Sequence, residues 1–157
     1  MRTALLALSL ALIAGAAQAA PAPTLCQANE QPLFGCKHAK KIYALCASKD
    51  VSATTGYLQY RVSGAGEPFA YPATLQPPKG LFTYALLPKG GQLTFHNDGY
   101  SYELYSDAQG SMVHVLRDKD EQSMARFSCD DTFDVDLTLN PVMDVIDKMG
   151  LREQPGQ

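Results

Sequence analysis

Short runs of alternating apolar and polar residues, separated by turn residues about every ten positions, constrain the fold of this 157-residue chain most strongly. The two clearest runs are 41–47 (KIYALCA) and 56–62 (GYLQYRV), which the polar linker Ser48–Thr55 connects. The second run sets Leu58, Tyr60 and Val62 against Tyr57, Gln59 and Arg61. A period of two places one set against a core and the other toward water, so the two runs are predicted to be strands of one hairpin.

The rest of the chain repeats this pattern of strand, turn and strand. Further strands are predicted at 81–87, 92–97, 100–106, 111–118, 123–129 and 134–139. The short extended piece at 68–72 is predicted to be an edge strand or a non-strand segment, because its prolines remove ladder donors. Asn97, Asp98 and Gly99 predict a type I′ hairpin turn, because these residues tolerate positive φ. We therefore predict a mostly β domain in which an antiparallel meander forms either a barrel or a sandwich.

One α-helix is predicted at the C-terminal end of this β domain. Asn140 can cap it and Pro141 suits the first helical position. The spacing of its apolar residues predicts one buried stripe, formed by Val142, Val145, Ile146 and Met149. Gly150 suits the left-handed residue that ends a helix. The stripe is expected to pack against the sheet or to close one end of it.

Residues 1–19 have the three parts of a secretory signal peptide. Arg2 precedes an apolar run from Ala4 to Ala14, and Ala17–Ala19 supplies the small residues of a cleavage site. Export is therefore predicted, to the periplasm or the medium, with residues 20–157 as a single disulfide-stapled domain. The residues before Cys26 lack the small side chains of a lipidation signal, which favours a soluble product.

The charge of the remaining chain bears on its partners. Without Arg2, 12 basic residues stand against 16 acidic ones, a net charge of −4. This acidic balance argues against nucleic acid as a partner, because surfaces that bind a duplex are basic. No second long apolar segment follows, so no membrane span is predicted. A protein or another envelope component is the expected partner, and the oligomeric state is left open.

Four cysteines in an exported chain predict two disulfide bonds. We predict Cys26–Cys36, which would pin an irregular N-terminal segment, and Cys46–Cys129, which would join two strands at the edge of the core. The second pair rests on the interpretation that Cys46 ends an inward-facing row. The alternative is a Cys36–Cys46 bond across the first hairpin. Spacings of ten residues do not fit a zinc site, so no metal and no cofactor are predicted.

No local motif of a catalytic site is present. His96 and His114 fall on separate predicted strands, where Glu103 could join them across a sheet, but their spacing matches no metal site. No serine lies in a nucleophile elbow. The acidic run Asp130–Asp136 lacks the glycine turn of a calcium loop and is interpreted as a solvated turn, with calcium binding as the alternative. No catalytic residue is therefore assigned.

Tyrosine is frequent in the predicted strands, and it serves both sheet packing and recognition. Tyr57 and Tyr105 fall opposite to the apparent core sets, and Arg61 shares the face of Tyr57. Tyr57, Arg61 and Tyr105 are therefore the candidate binding residues, with plain sheet packing as the alternative reading of the tyrosines.

The strings LFGC, IYALCAS, GYLQYRVSGAGEPFAYP and GGQLTFHNDGYSYELYS together resemble a recurrent type of small exported bacterial protein of unknown function. This resemblance implies export and disulfides, and it carries no catalytic residue to this chain. The overall format is similar to that of periplasmic lysozyme inhibitors. The predicted function is a non-catalytic binding or inhibitor-type module of the bacterial envelope. The alternatives are a hydrolase with a site around His96 and His114, or a structural partner in the envelope.

Overall fold

The computed structural model describes residues 25–132 and 136–153, so the predicted signal peptide lies outside the described residues. Within these ranges the chain forms nine strands and one helix: β1 (Glu30–His38), β2 (Lys41–Ser48), β3 (Leu58–Gly64), β4 (Phe69–Tyr71), β5 (Phe82–Leu87), β6 (Gly90–Asn97), β7 (Tyr100–Asp107), β8 (Gly110–Arg117), β9 (Gln122–Ser128) and α1 (Asn140–Met149). Strands β1 to β4 form sheet A and β5 to β9 form sheet B, each in sequence order. Neighbouring strands are antiparallel, so both sheets are meanders.

The two sheets pack face to face through aromatic side chains. Phe95 of β6 stacks on Tyr71 of β4 with ring centroids 4.6 Å apart, and its ring lies 5.1 Å from that of Tyr60 of β3. On the other side of the core, Phe127 of β9 lies 5.0 Å from Tyr43 of β2. Two separate sheets in such contact make a sandwich rather than a closed barrel. The predicted class, mostly β with one C-terminal helix, is confirmed.

The predicted first hairpin is present and its alternation is as expected. Leu58 and Tyr60 of β3 are buried in the core and pair with Ala47 and Leu45 of β2. Arg61 lies on the opposite face of sheet A, which we call its outer face because it points away from sheet B. The β6–β7 turn also matches the prediction, since Asp98 and Gly99 have φ of 50° and 81°.

The proline-flanked strand β4 and the N-terminal strand β1 form the two edges of sheet A. Strand β4, between Pro68 and Pro72, is an edge strand, which is the first of the two predicted alternatives. The segment before Leu33 was expected to be irregular, and this is wrong for its last residues, because β1 begins at Glu30. Strand β1 lies at the other edge of the sheet, where Pro32 need not donate to two neighbours. A register shift between Pro32 and Phe34 accommodates one extra residue, Leu33.

The predicted strand at 134–139 falls partly outside the described residues, which omit 133–135. Its described part, Asp136–Leu139, is a turn in which the Leu139 amide donates to the Asp136 carbonyl at 3.1 Å. The Asp136 carboxylate also accepts hydrogen bonds from the amide and the hydroxyl of Thr138. These short-range bonds bend the chain into the helix instead of extending it.

Helix α1 buries its predicted stripe, Val142, Val145, Ile146 and Met149. The prediction that Asn140 caps the helix is wrong by one residue. The N-cap is Leu139, and no side chain caps the helix. Gly150 ends the helix with a φ of 64°, as expected. Tyr84 of β5 donates its hydroxyl to the Leu137 carbonyl at 3.0 Å, which ties the helix approach to sheet B. Among the described residues, no helix combines the length and apolar character that a bilayer crossing requires.

Two disulfide bonds are present, as predicted, but the predicted pairing is wrong. Cys26 bonds to Cys46, and Cys36 bonds to Cys129. Cys46 pairs with Gln59 in the sheet register and therefore shares the outer face of sheet A with Arg61. Its side chain is buried because the N-terminal segment around Cys26 covers it. The interpretation that Cys46 ends an inward-facing row is therefore wrong, because its side chain points to the outer face of sheet A.

The second disulfide joins the two sheets. Cys36 of β1 pairs with Tyr43, whose ring faces the core, so Cys36 also points inward. Cys129 directly follows β9 in sheet B, and its amide still donates to the Ser111 carbonyl of β8 at 2.9 Å. The Cys36–Cys129 bond therefore fixes β1, at one edge of sheet A, to the end of β9, at one edge of sheet B.

Candidate functional site

Two of the three predicted binding residues meet on the outer face of sheet A around the carboxylate of Glu30. Arg61 donates to Glu30 through both terminal nitrogens, at 2.7 Å each, and the Tyr57 hydroxyl donates to Glu30 Oε1 at 2.6 Å. The Glu30 side chain is 0% exposed and that of Arg61 is 16% exposed. Arg61 also donates to the carbonyl of Leu25 at 3.0 Å. The cluster therefore holds the N-terminal segment against the sheet, beside the Cys26–Cys46 bond.

The ionisation of this cluster follows from its contacts. Burial by itself raises the pKa of Glu30, but the hydrogen bonds from Arg61, Tyr57 and the Gln27 amide outweigh it and lower the pKa overall. The same bonds to Glu30 raise the pKa of Arg61 and that of Tyr57. The polar groups of Tyr57 and Arg61 are thus engaged within the protein, and their role in binding stays a prediction. The sequence analysis did not single out Glu30.

The same place contains the one group of three potential metal ligands among the described residues, Cys26, Glu30 and Cys46. Both sulfurs belong to a disulfide bond and so offer no thiolate. The carboxylate is paired with Arg61. The arrangement fits a structural latch and not a metal site.

The third predicted residue, Tyr105, lies on the opposite side of the molecule, on the outer face of sheet B. It pairs with Met112 in the register of β7 and β8, and Met112 pairs with Ser128 of β9. Tyr105, Met112 and Arg126 line a cavity of about 290 Å³. The Nε–H of Arg126 lies 3.3 Å from the Met112 sulfur, and the Tyr105 hydroxyl donates to Asp107 at 3.0 Å. We call these three side chains the Tyr105 patch.

A glycine makes room for the tyrosine ring of this patch. A Cβ at Gly90 of β6 would lie 2.3 Å from the Ser106 carbonyl oxygen and 2.8 Å from the ring carbon Cζ of Tyr105, so a larger residue there would clash with the backbone of β7 as well as with the ring. Tyr57 and Arg61 lie on the outer face of the other sheet. The three predicted binding residues therefore do not form one site.

His114 lies between Glu103 and Ser123 on the same outer face of sheet B. Its Nδ1 is 3.1 Å from Glu103 Oε2, and its Nε2 is 3.1 Å from the Ser123 hydroxyl oxygen. The Glu103 contact was anticipated, but Ser123 was not. Strands β8 and β9 change register at Val115, so Leu116 pairs with Ser123 and Met124 becomes an extra residue. This bulge turns Ser123 to the face of His114.

His96 forms a separate cluster on this face, with Ser101 and Asp118. Its Nδ1 is 3.0 Å from the Ser101 hydroxyl and 3.3 Å from the Asp118 carboxylate, and Ser101 donates to Asp118 at 2.6 Å. Both partners contact the same ring nitrogen. A relay needs the carboxylate and the hydroxyl on different nitrogens, so this cluster does not have relay geometry. The structure therefore does not unite His96 and His114 in one site.

The fold and the site define this chain as a disulfide-stapled β-sandwich with one covered and one open sheet face. No protein-family model, no curated protein and no solved structure matches the chain.

Proposed function

We propose that this protein is an exported component of the bacterial envelope, periplasmic or secreted, that binds another protein through the outer face of sheet B. The observation that carries the proposal is the Tyr105 patch, in which an aromatic ring, a methionine and an arginine line one cavity. These three residue types are enriched in protein interfaces. Two disulfides and the signal-like N-terminus support an oxidising location.

The contrast between the two outer faces supports this choice of surface. On sheet A, the N-terminal segment covers Cys46, and the side chains of Glu30 and Arg61 bond each other. On sheet B, Arg126 is exposed and Tyr105 is half-buried. A half-buried ring with a polar tip offers a large contact area at little entropic cost.

The charge of the chain indicates the kind of partner. The sequence after the predicted cleavage site carries a net charge of −4. A second cavity on the same face, of about 560 Å³, is lined by Glu103, Asp118 and Glu121 with one cation, Arg117. A protein with a basic surface would therefore approach this face with favourable electrostatics. Inhibition of a basic secreted enzyme is one form that such binding would take.

Capture experiments with matched variants test this proposal. We expect Tyr105→Ala, Arg126→Ala bait to lose a protein that wild-type bait retains from a periplasmic extract. Loss of an aromatic or arginine hot spot costs about 2 kcal/mol or more, which is roughly a 30-fold weaker affinity. The captured protein is then purified and its affinity for both baits is measured by calorimetry.

Glu67→Ala is the control bait, because Glu67 is exposed in the loop between β3 and β4 of sheet A. It should retain the partner with wild-type affinity. Equal affinity of the purified partner for wild-type and Tyr105→Ala, Arg126→Ala bait would place binding elsewhere and contradict the proposal.

A second candidate function, acyl-ester hydrolysis, is favoured by the Glu103–His114–Ser123 contacts alone. A carboxylate at Nδ1 and a hydroxyl at Nε2 is the arrangement in which an imidazole can accept the proton of a serine nucleophile. Ser123 is exposed, while the His114 side chain is 15% exposed. In such a reaction the Ser123 oxygen would form a bond to the acyl carbon, and the proton taken by His114 would pass to the leaving alkoxide. Water would then release the acid.

A fluorophosphonate probe distinguishes this candidate from ordinary hydrogen bonding. If Ser123 is a nucleophile, the wild-type protein should be labelled, and Ser123→Ala and His114→Ala should each lose the label. Ser101→Ala is the control and should keep it, because Ser101 belongs to the His96 cluster. Unlabelled wild-type protein, or labelling that survives in Ser123→Ala, would exclude the hydrolase.

A further inference from the structure

The two ends of the sandwich are closed to different extents. Helix α1 lies at the end where β2 finishes, and there the Ala53 amide donates to the Lys148 carbonyl at 3.1 Å. Ile146 and Met149 of the helix are 0% exposed, so this end of the core is sealed. The opposite end, where β2 begins, is formed by side chains that are only half-buried.

Two rows of inward-facing side chains meet at this second end. The strand register aligns Tyr43, Val62 and Phe69 across sheet A, and it aligns Tyr102 and Val115 across β7 and β8 of sheet B. The rings of Phe69 and Tyr102 stack with their centroids 5.6 Å apart, so the two rows are in contact. All five side chains pack against the core and keep part of their surface in solvent. We call these five residues the open end.

Tyr60 of β3 lies in the core directly behind the open end. Its ring centroid is 6.1 Å from that of Phe69 and 6.4 Å from that of Tyr102. Tyr60 is 1% exposed, and its hydroxyl has no hydrogen-bond partner within the described ranges. Among the same residues, the one fully enclosed side-chain nitrogen or oxygen that lacks a partner is His38 Nδ1, so the Tyr60 hydroxyl reaches solvent. A nearly buried hydroxyl in this position favours a group that can hydrogen-bond to it.

Two tyrosines of the open end resemble Tyr60 in this respect. The hydroxyls of Tyr43 and Tyr102 also have no partner in the part of the chain that the structure describes. Burial raises the pKa of Tyr43 and of Tyr102, and it raises the pKa of Tyr60 well above its usual range, with Tyr43 and Tyr102 adding to that rise. The three phenols therefore stay uncharged at neutral pH, and each can both donate and accept a hydrogen bond.

We infer that the open end binds one ring of a neutral sugar. A sugar hydroxyl donates and accepts as a phenol hydroxyl does, so three sugar hydroxyls can pair with Tyr43, Tyr60 and Tyr102. The C–H groups of the sugar ring then contact the apolar side chains of Val62 and Val115.

The number and the charge of these hydroxyls decide between classes of ligand. Phenol, with one hydroxyl, would leave two of the three tyrosine hydroxyls unpaired. The three tyrosines offer no opposite charge to an ionised ligand, which would lose hydration without gaining an ion pair. The inferred site lies between the sheets and not on the outer face of sheet B, so it does not depend on the partner protein proposed above.

Saturation-transfer difference NMR on the full exported protein tests the site, with methyl glucoside as the probe. We expect the wild type to bind it with a Kd of about 1–10 mM. Tyr60→Phe keeps the ring and removes the hydroxyl, so it should weaken binding by roughly 2- to 12-fold, the effect of one hydrogen bond. Tyr60→Phe, Tyr102→Phe should weaken it further. Neither variant should unfold at a lower urea concentration, because neither hydroxyl has a partner in the described part of the protein.

Thr83→Val is the matched control, because it also removes one hydroxyl but lies exposed on the outer face of sheet B. It should bind methyl glucoside as the wild type does. Phenol is the second probe and should bind more weakly than the sugar. The inference is overturned by a wild type that gives no signal with methyl glucoside, by tighter binding of phenol, or by equal sugar affinity of the wild type and Tyr60→Phe.

Discussion

The double substitution Cys36→Ala, Cys129→Ala is expected to lower the free energy of unfolding by about 4.6 kcal/mol. The bond closes a loop of 93 positions, and the loss of loop-closure entropy in the unfolded chain grows with loop length. It also fastens β1 of sheet A to the end of β9 in sheet B. Because domains of this size have a total stability of about 5–15 kcal/mol, the variant should lose a large part of it.

The Cys26→Ala, Cys46→Ala variant is the matched comparison. Its loop spans 20 positions, for which the same relation predicts a loss of about 3 kcal/mol. Urea unfolding of both variants gives the two losses. Non-reducing peptide mapping of the wild type should yield a Cys26–Cys46 peptide and a Cys36–Cys129 peptide. Equal stability of the two variants, or a Cys46–Cys129 peptide, would contradict this assignment.

Strands such as β5 and β6 were predictable because alternate residues are buried in the core and turned toward solvent. Leu93 and Phe95 are buried, whereas Thr94 between them is half-buried and His96 after them is exposed. Turn residues with positive φ, such as Gly99, marked where one strand ended and the next began. Under these conditions local pattern and tertiary structure agree, so the meander could be read along the chain.

The disulfide pairing was not predictable because the second half of β2 is buried on both faces. Ala44, Leu45, Cys46 and Ala47 are all fully buried. Alternation identifies the inner face only where the other face is wet, so it could not show that Cys46 points outward. The segment around Cys26 shields the outer face of β2 from solvent, and the Cys26–Cys46 disulfide itself holds that segment in place.

Contacts in the candidate site could be predicted only between residues that lie directly opposite each other in the regular strand register. Glu103 and His114 are directly paired across β7 and β8, and the sequence analysis proposed that they could meet. Ser123 reaches His114 only because of a bulge, which the alternation pattern does not reveal. Glu30 meets Arg61 from 31 positions away, through a covering of sheet A that no local pattern encodes.

Replacing Glu30 by glutamine is expected to lower the free energy of unfolding by about 3 kcal/mol at neutral pH. Removing one partner of a buried ion pair leaves the other charge unpaired, at a cost of about 3–5 kcal/mol. The lower end applies because the Arg61 side chain is 16% exposed and can be partly solvated. Asp120→Asn is the matched control, because Asp120 accepts from Arg117 at a solvent-exposed pair. An exposed pair contributes at most about 1 kcal/mol.

The dependence of this loss on pH separates the Glu30 charge from the shape of its side chain. The hydrogen bonds of Arg61, Tyr57 and Gln27 lower the pKa of Glu30 in the folded protein relative to the unfolded chain. The stabilisation is therefore complete above the unfolded pKa, about 4.3, and it is lost as the pH falls through the folded pKa. The difference in unfolding free energy between wild type and Glu30→Gln should be constant from about pH 7 to about pH 5 and should shrink below that range. Urea unfolding across this pH series measures it. A difference that stays constant into the acid range would show that Glu30 contributes through packing, and that the latch on the N-terminal segment does not depend on its charge.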